Sequence, residues 1–235
     1  MIRNYSNNFT FYFVPFFCGL LSTLSLPPYN FFYLNFISFP FLLLFYLGIK
    51  IKKGFSSFVY GWVFGFAYFL SNIYWIANSL TVEEIFKPLI PIAILMIPLF
   101  LGIFYGISFL IFFYFKPKKK IESIFLFALI FSLLEYLRGH ILGGFPWNLI
   151  SFSLVEINQF IQILSYVGTY SFNLIVVTIF LVPSVILFKI TTKGKILTIL
   201  FSVTLIISNL IFGNLVLNKY NNTPSTPMNY VVKII

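Results

Sequence analysis

The chain contains no aspartate, and its 235 residues include only five acidic side chains, one histidine and one cysteine. No carboxylate sits in the middle of an apolar run, which argues against a proton- or cation-coupled transporter, because such proteins place ionisable groups at mid-membrane. One cysteine cannot form an internal disulfide, and Cys18 lies inside the first apolar run, where it reads as a small buried side chain. A lone His140 without a partner is neither a metal site nor a catalytic pair, and it reads as part of a loop. Gly-x-Ser-x-Gly, His-Glu-x-x-His and the phosphate loop are all missing. No catalytic machinery is visible, and no cofactor or metal is expected. Charged residues make up 9% of the chain, against about 25% in ordinary globular proteins. A soluble domain is thereby excluded.

Apolar sequence takes the place of charge. Hydrophobic residues account for 60% of the chain, 34 of them phenylalanine, and the mean hydropathy is +1.00. Several runs reach the roughly 20 residues that a helix needs to cross the hydrocarbon core. A transmembrane barrel would require alternation in segments of about ten residues, and runs such as Phe41 to Leu47 do not alternate. The fold class is all-α, a polytopic membrane helix bundle with about seven transmembrane helices.

These helices are expected at Phe9 to Leu26, Phe31 to Ile49, Phe55 to Ser79, Pro88 to Phe115, Ile121 to Arg138, Tyr166 to Phe188 and Ile196 to Phe212. The end of the first, Leu24-Ser25-Leu26-Pro27-Pro28, is no small-x-small cleavage site, so the run is a retained helix and not a signal peptide. Pro27 and Pro28 mark a tight turn. Pro91 suits a first helical turn, and Pro98 should kink the fourth helix.

With this helix count, eleven of the fifteen basic residues fall on one side: Arg3, then the lysines at 50–53, 116–120 and 189–195. The positive-inside rule makes that side cytoplasmic. The net charge of +10 is therefore a topology signal with anionic lipid as a by-product, and nucleic acid is not an expected partner. The N-terminus is placed in the cytoplasm, and the loop after helix five and the C-terminus outside it.

That loop is the oddest stretch of the chain. Glu135 and Arg138 lie three residues apart at the end of a helix, where their side chains are neighbours. Two readings stand. They form an ion pair that terminates the helix and braces the loop, or a polar site at the outer leaflet with Arg138 open to a phosphate or carboxylate. Gly143-Gly144-Phe145-Pro146-Trp147 follows, in which Trp147 is either an interfacial anchor or part of a lipid-facing vestibule. Within Leu154 to Ser165, the polar residues Asn158, Gln159, Gln162 and Ser165 share one helical face, which suits a short helix lying in the interface. Asn72 and Trp75, near the outer end of helix three, are placed to face the same vestibule. Gly61/Gly65 and Gly102/Gly106 have the spacing that lets helices approach closely.

Glu-x-Leu-Arg-Gly followed by Gly-Phe-Pro-Trp, from Glu135 to Trp147, resembles the signature of bacterial apolipoprotein N-acyltransferases. Leu26-Pro27-Pro28-Tyr29, Gly61-Trp62-Val63-Phe64-Gly65 with Trp75, Gln159, and Tyr166 to Ser171 agree in order and spacing. The resemblance implies a helical membrane domain in the bacterial inner membrane that carries a periplasmic nitrilase-like domain. There a Glu-Lys-Cys triad takes an acyl chain from a phospholipid as a thioester and passes it to the amino group of a lipoprotein's diacylglyceryl-cysteine. Residues 1–213 are then the membrane domain, and residues 214–235 a periplasmic linker whose Tyr230 to Ile235 begin the first strand of a truncated nitrilase-like domain. Cys18 matches no family nucleophile, so no catalytic residue is carried over. The chain alone is expected to be inactive, either cut short or completed by a separate nitrilase-like chain. Glu135, Arg138, Phe145, Pro146, Trp147 and Trp75 are the candidate substrate-binding residues, with a phospholipid donor, a lipoprotein acceptor and membrane lipid as the implied partners. The alternative is a non-enzymatic multi-pass membrane protein that binds lipid or a partner through the same vestibule, with a cofactor-free transporter as a third reading.

Overall fold

The computed structural model describes residues 8–222, which are almost entirely helical, with no strand among them. The expected strand start at Tyr230 to Ile235 lies outside the described residues, as does Arg3. Helix α1 spans Asn8–Thr23 and α2 spans Asn35–Gly48. They are joined by a turn in which Tyr29 and Asn30 N–H groups donate to the Leu26 carbonyl at 3.0 and 3.1 Å. Asn30 takes φ 59° there, a left-handed conformation that Asn tolerates better than most residues.

Helix α3 covers Gly54–Ile73 and α4 covers Ile90–Phe115. The third helix is shorter than its apolar run predicts, because the backbone at Ile73 (φ −117°, ψ 9°) leaves the α region and Tyr74–Thr81 tightens into a 3-10 helix. Pro91 occupies the first turn of α4, where its missing N–H costs nothing, and the helix continues through Pro98. Helix α5 spans Lys120–His140, so His140 ends a helix and is not a loop residue.

The segment expected as one interfacial helix from Leu154 begins later and is interrupted. A 3-10 turn at Ile150–Leu154 precedes the short helices α6, Asn158–Ile161, and α7, Leu164–Val167. Gly168, at φ 77°, closes α7 by donating to the Leu164 carbonyl at 2.9 Å, the left-handed stop that glycine adopts without strain. Helix α8 covers Thr169–Leu181, α9 covers Ser184–Leu187 after Pro183, and α10 runs over Thr192–Asn222. The junction expected after residue 213 thus falls within a helix.

By length and composition, Glu84–Phe115, Thr169–Leu187 and Thr192–Asn222 can cross a membrane, and Phe9–Thr23 and Phe32–Gly48 are shorter apolar helices. Outward stripes of large apolar residues, such as Phe125, Leu129 and Leu133 on α5, stay exposed. Their spacing of four puts them on one helical face, as expected of a surface in contact with lipid.

Aromatic packing fills the interior. Tyr105 is completely buried and stacks on Phe131 at 4.5 Å and on Phe69 at 5.3 Å between centroids. Helices α3 and α4 meet along the two glycine pairs, where a Cβ on Gly65 would lie 2.9 Å from the Gly102 Cα. In lipid, where apolar burial gives little drive to helix association, such close backbone contact is what holds a pair together.

The longer helices alternate between two ends of the bundle. At one end Lys116 reaches over the Tyr46 ring and Lys120 over the Phe188 ring. At the other, Trp75 stacks on Trp147, and Thr23 bonds to Ser71.

Candidate functional site

The tryptophan end is organised by the last two turns of α5. Glu135 and Arg138 face inward there and are essentially fully buried. Ionised groups persist at such a position only when their neighbours replace water. The Tyr105 hydroxyl of α4 donates to Glu135 Oε1 at 2.9 Å, and the Asn173 amide of α8 donates to Oε2. Arg138 Nη2 lies 3.6 Å from Glu135 Oε1, an ion pair without a hydrogen bond. Asn173 also accepts the Ser151 backbone N–H at 2.9 Å, so one amide ties α8 to both α5 and the 3-10 turn.

Arg138 turns the other way, toward the loop. Its Nη1 donates to the carbonyls of Phe145 at 2.7 Å and Trp147 at 2.8 Å, and its own carbonyl accepts the Phe145 N–H at 2.8 Å. The guanidinium also lies over the rings of Phe69 and Phe145, at 5.1 and 5.8 Å. Left-handed φ values at Leu142, Gly143, Gly144 and Asn148 bring the loop back over α5. A Cβ on Gly144 would collide with the Gly139 carbonyl, so only glycine fits that return. The far side of the loop is tied down where the Tyr68 hydroxyl donates to the Asn148 carbonyl at 2.9 Å.

The loop so held presents Trp147 to Trp75. The two indoles stack at 5.7 Å with 23° between planes and form one wall of a cavity of about 530 Å³. The turn at Leu26, Pro27, Pro28 and Tyr29, with Tyr74, Phe152 and Val155, completes the largely apolar lining, and Thr23, Ser71, Asn72 and Asn148 are its polar members. That volume lies within the roughly 300–1,000 Å³ of small-molecule sites, and a mostly apolar wall with few polar groups is their usual make-up. The arrangement can take a flexible apolar chain with a polar end near Thr23 and Asn72. Cys18 is buried inside α1 and does not line this cavity.

Of the six residues singled out in the sequence, only Trp75 and Trp147 line the cavity. Glu135 and Arg138 lie beneath the loop, Phe145 packs between Arg138 and Trp147, and Pro146 is exposed. His140 is exposed, with Nδ1 2.7 Å from the Tyr136 carbonyl and its ring stacked on Tyr136. Of the polar face predicted for the interfacial helix, Asn158 and Ser165 are exposed while Gln159 and Gln162 are half-buried. Sequence reasoning missed Tyr105, Asn173 and Tyr68. The signal for Asn173 was a lone amide within an apolar run.

Comparison with known proteins gives a consistent match. Residues 18–182 match the family model of the apolipoprotein N-acyltransferase N-terminal domain. The chain is 33% identical over 211 residues to the apolipoprotein N-acyltransferase of Sinorhizobium medicae (strain WSM419), covering 86% of this chain and 39% of that protein. It is 31% identical to the Rhizobium meliloti (strain 1021) protein of the same name, with 86% and 39% covered. It is also 31% identical to that of Brucella melitensis biotype 1, with 73% and 34% covered. The match thus spans about two fifths or less of the length of these relatives.

Proposed function

The chain belongs to the apolipoprotein N-acyltransferase family through its N-terminal domain, and from that premise we propose that it is the membrane platform of such an enzyme. It crosses the bacterial inner membrane about seven times, with its N-terminus in the cytoplasm and its C-terminal end in the periplasm. The cavity walled by the stacked Trp75 and Trp147 holds an acyl chain of the phospholipid donor, or of the lipoprotein's diacylglyceryl-cysteine, beside a nitrilase-like catalytic domain. That domain is supplied by further sequence or by a separate chain, and the membrane platform does not turn over alone.

The observation that carries this reading is the stacking of Trp75 on Trp147, whose loop a buried ion pair holds down. Arg138 and Glu135 brace the wall and do not touch the lipid. Acyl transfer from a labelled phospholipid to a lipoprotein peptide tests it, with a nitrilase-like domain of a relative joined to the chain. Transfer should require that domain, and Trp147→Ala should lower the rate at least roughly tenfold, the scale of losing one well-placed substrate contact. Transfer by the chain alone, or transfer indifferent to Trp147→Ala, would overturn it. The same assay separates an enzyme platform from a non-enzymatic lipid-binding protein, which would bind phospholipid without supporting transfer.

A further inference from the structure

The opposite end of the bundle carries a second pocket of different chemistry. The C-terminal end of α2, the first residue of α5 and the end of α9 meet around a cavity of about 280 Å³. Leu44, Leu47, Leu187 and Phe188 form its apolar wall, and Lys120 and Lys189 line it as cations. The Lys120 ammonium sits over the Phe188 ring, 5.4 Å from the centroid, and Phe188 itself is buried. The cation therefore has a fixed seat and does not sweep freely through solvent.

The charge there is unbalanced. Among the described residues, no carboxylate lines the cavity. Glu122, two residues along α5, pairs with Lys119 at 3.0 Å. Lys195 is engaged by the Ile186 carbonyl at 2.7 Å, so it does not compete for the pocket. Two lysines thus line a recess with an apolar wall, and the group that fits is an anion attached to something apolar.

We propose that this pocket binds the headgroup phosphate of an anionic phospholipid, with Lys120 and Lys189 on the phosphate and the acyl chains lying along Leu47 and Leu187. The apolar side decides between a lipid and a free anion. Leu187 and Ile186 are 61% and 60% exposed, and they continue the pocket wall onto the outer, lipid-facing surface of the bundle. Basic pockets between membrane helices hold anionic headgroups in this way. The site is separate from the tryptophan-walled cavity at the other end, and its ligand would be a bound structural lipid and not a substrate.

Native mass spectrometry of the whole chain in detergent tests this, with phosphatidylglycerol, phosphatidylcholine and inorganic phosphate as probes. One phosphatidylglycerol should bind more tightly than phosphatidylcholine by roughly thirtyfold, the scale that two lysines near an anionic headgroup supply. Lys120→Gln/Lys189→Gln should abolish that preference. Lys52→Gln/Lys53→Gln, which removes the same charge outside the pocket, should keep it. A pocket double variant that still prefers phosphatidylglycerol, or a wild-type chain that binds both lipids alike, would overturn the site. Displacement of phosphatidylglycerol by millimolar phosphate would assign the pocket to a free anion and overturn the lipid.

Discussion

The Arg138 guanidinium reaches nine residues along the chain to the Trp147 carbonyl, 2.8 Å away, and so holds the backbone that carries the indole, not the indole itself. Its Nε and Nη2 have no hydrogen-bond partner among the described residues, and its charge is answered by Glu135 at 3.6 Å and by two aromatic faces. The residue is a strut between a buried carboxylate and a loop.

A strut of this kind fails in a characteristic order. Arg138→Met leaves Glu135 buried without its counter-charge, and breaking a buried pair from one side costs about 3–5 kcal/mol. Arg138→Met/Glu135→Gln removes both charges and should recover a large part of that loss. Arg138→Lys keeps a charge but loses the planar fork that serves two carbonyls, so its stability should fall between wild type and Arg138→Met while Trp147 emission shifts to the red. Unfolding in detergent, followed by circular dichroism beside tryptophan fluorescence, measures both. A double variant less stable than Arg138→Met would remove the ion pair from the account.

Asn173 is the second prediction. Its amide serves Glu135 on one side and the Ser151 N–H on the other, so Asn173→Ala leaves a buried acceptor and a buried donor unmet. Each unmet group costs about 1–3 kcal/mol. The loss should be accompanied by faster hydrogen exchange at the Ser151 amide, with exchange in the α3–α4 seam unchanged. Asn173→Asp should be worse than Asn173→Ala, because it sets a second carboxylate against Glu135. Unchanged exchange at Ser151 in Asn173→Ala would show that the turn is held by something else.

The all-helical class, the approximate course of the helices and the Glu135–Arg138 adjacency were legible because each follows from local pattern. Apolar run length gives the helices, and a spacing of three puts two side chains on one face. Tyr105 and Asn173 were not legible as partners of Glu135, because they arrive from α4 and α8 and no spacing within one helix reports a contact between helices. The early end of α3 was hidden for a related reason. Residues Tyr74–Thr81 read as a continuation of an apolar helix, and the turn that aims Trp75 at Trp147 is set by tertiary packing, which overrides propensity. The interrupted interfacial segment is similar: its backbone at Gln162 and Ile163 stays in the right-handed helical region, so the helical pattern was real but the continuous helix was not.

The glycine seam between α3 and α4 gives a graded test. A methyl on Gly61 would strike the Tyr105 carbonyl and the Phe109 ring, whereas one on Gly102 meets its neighbours at 3.0–3.3 Å. Backbone oxygen cannot step aside as a side chain can. Gly61→Ala should therefore destabilise by about 1–3 kcal/mol, the usual range for overpacking, and Gly102→Ala by less. Melting temperatures of the two variants in one detergent decide the order, and the reverse order would mean that the seam is not set by backbone contact.

The last prediction concerns which way the bundle faces. The lysines at 50–53, 116–120 and 189–195 follow α2, α4 and α9, and Lys120 and Lys189 share one pocket with the end of α2. Trp75 and Trp147 meet at the other end. Short loops rich in lysine stay on the cytoplasmic side, and each cluster contributes to that bias independently. A reporter fused after residue 53 should therefore read cytoplasmic, and one fused after residue 147 periplasmic. Because three clusters share the work, replacing Lys50, Lys52 and Lys53 by glutamine should leave both readings unchanged, whereas neutralising all three clusters should mix the orientations. Reporters that read the same side in the wild-type chain would overturn the topology, and with it the placement of the tryptophan-walled cavity at the outer leaflet. Inversion by the first cluster alone would instead show that the first helical pair sets the orientation and that the later lysines serve the lipid site.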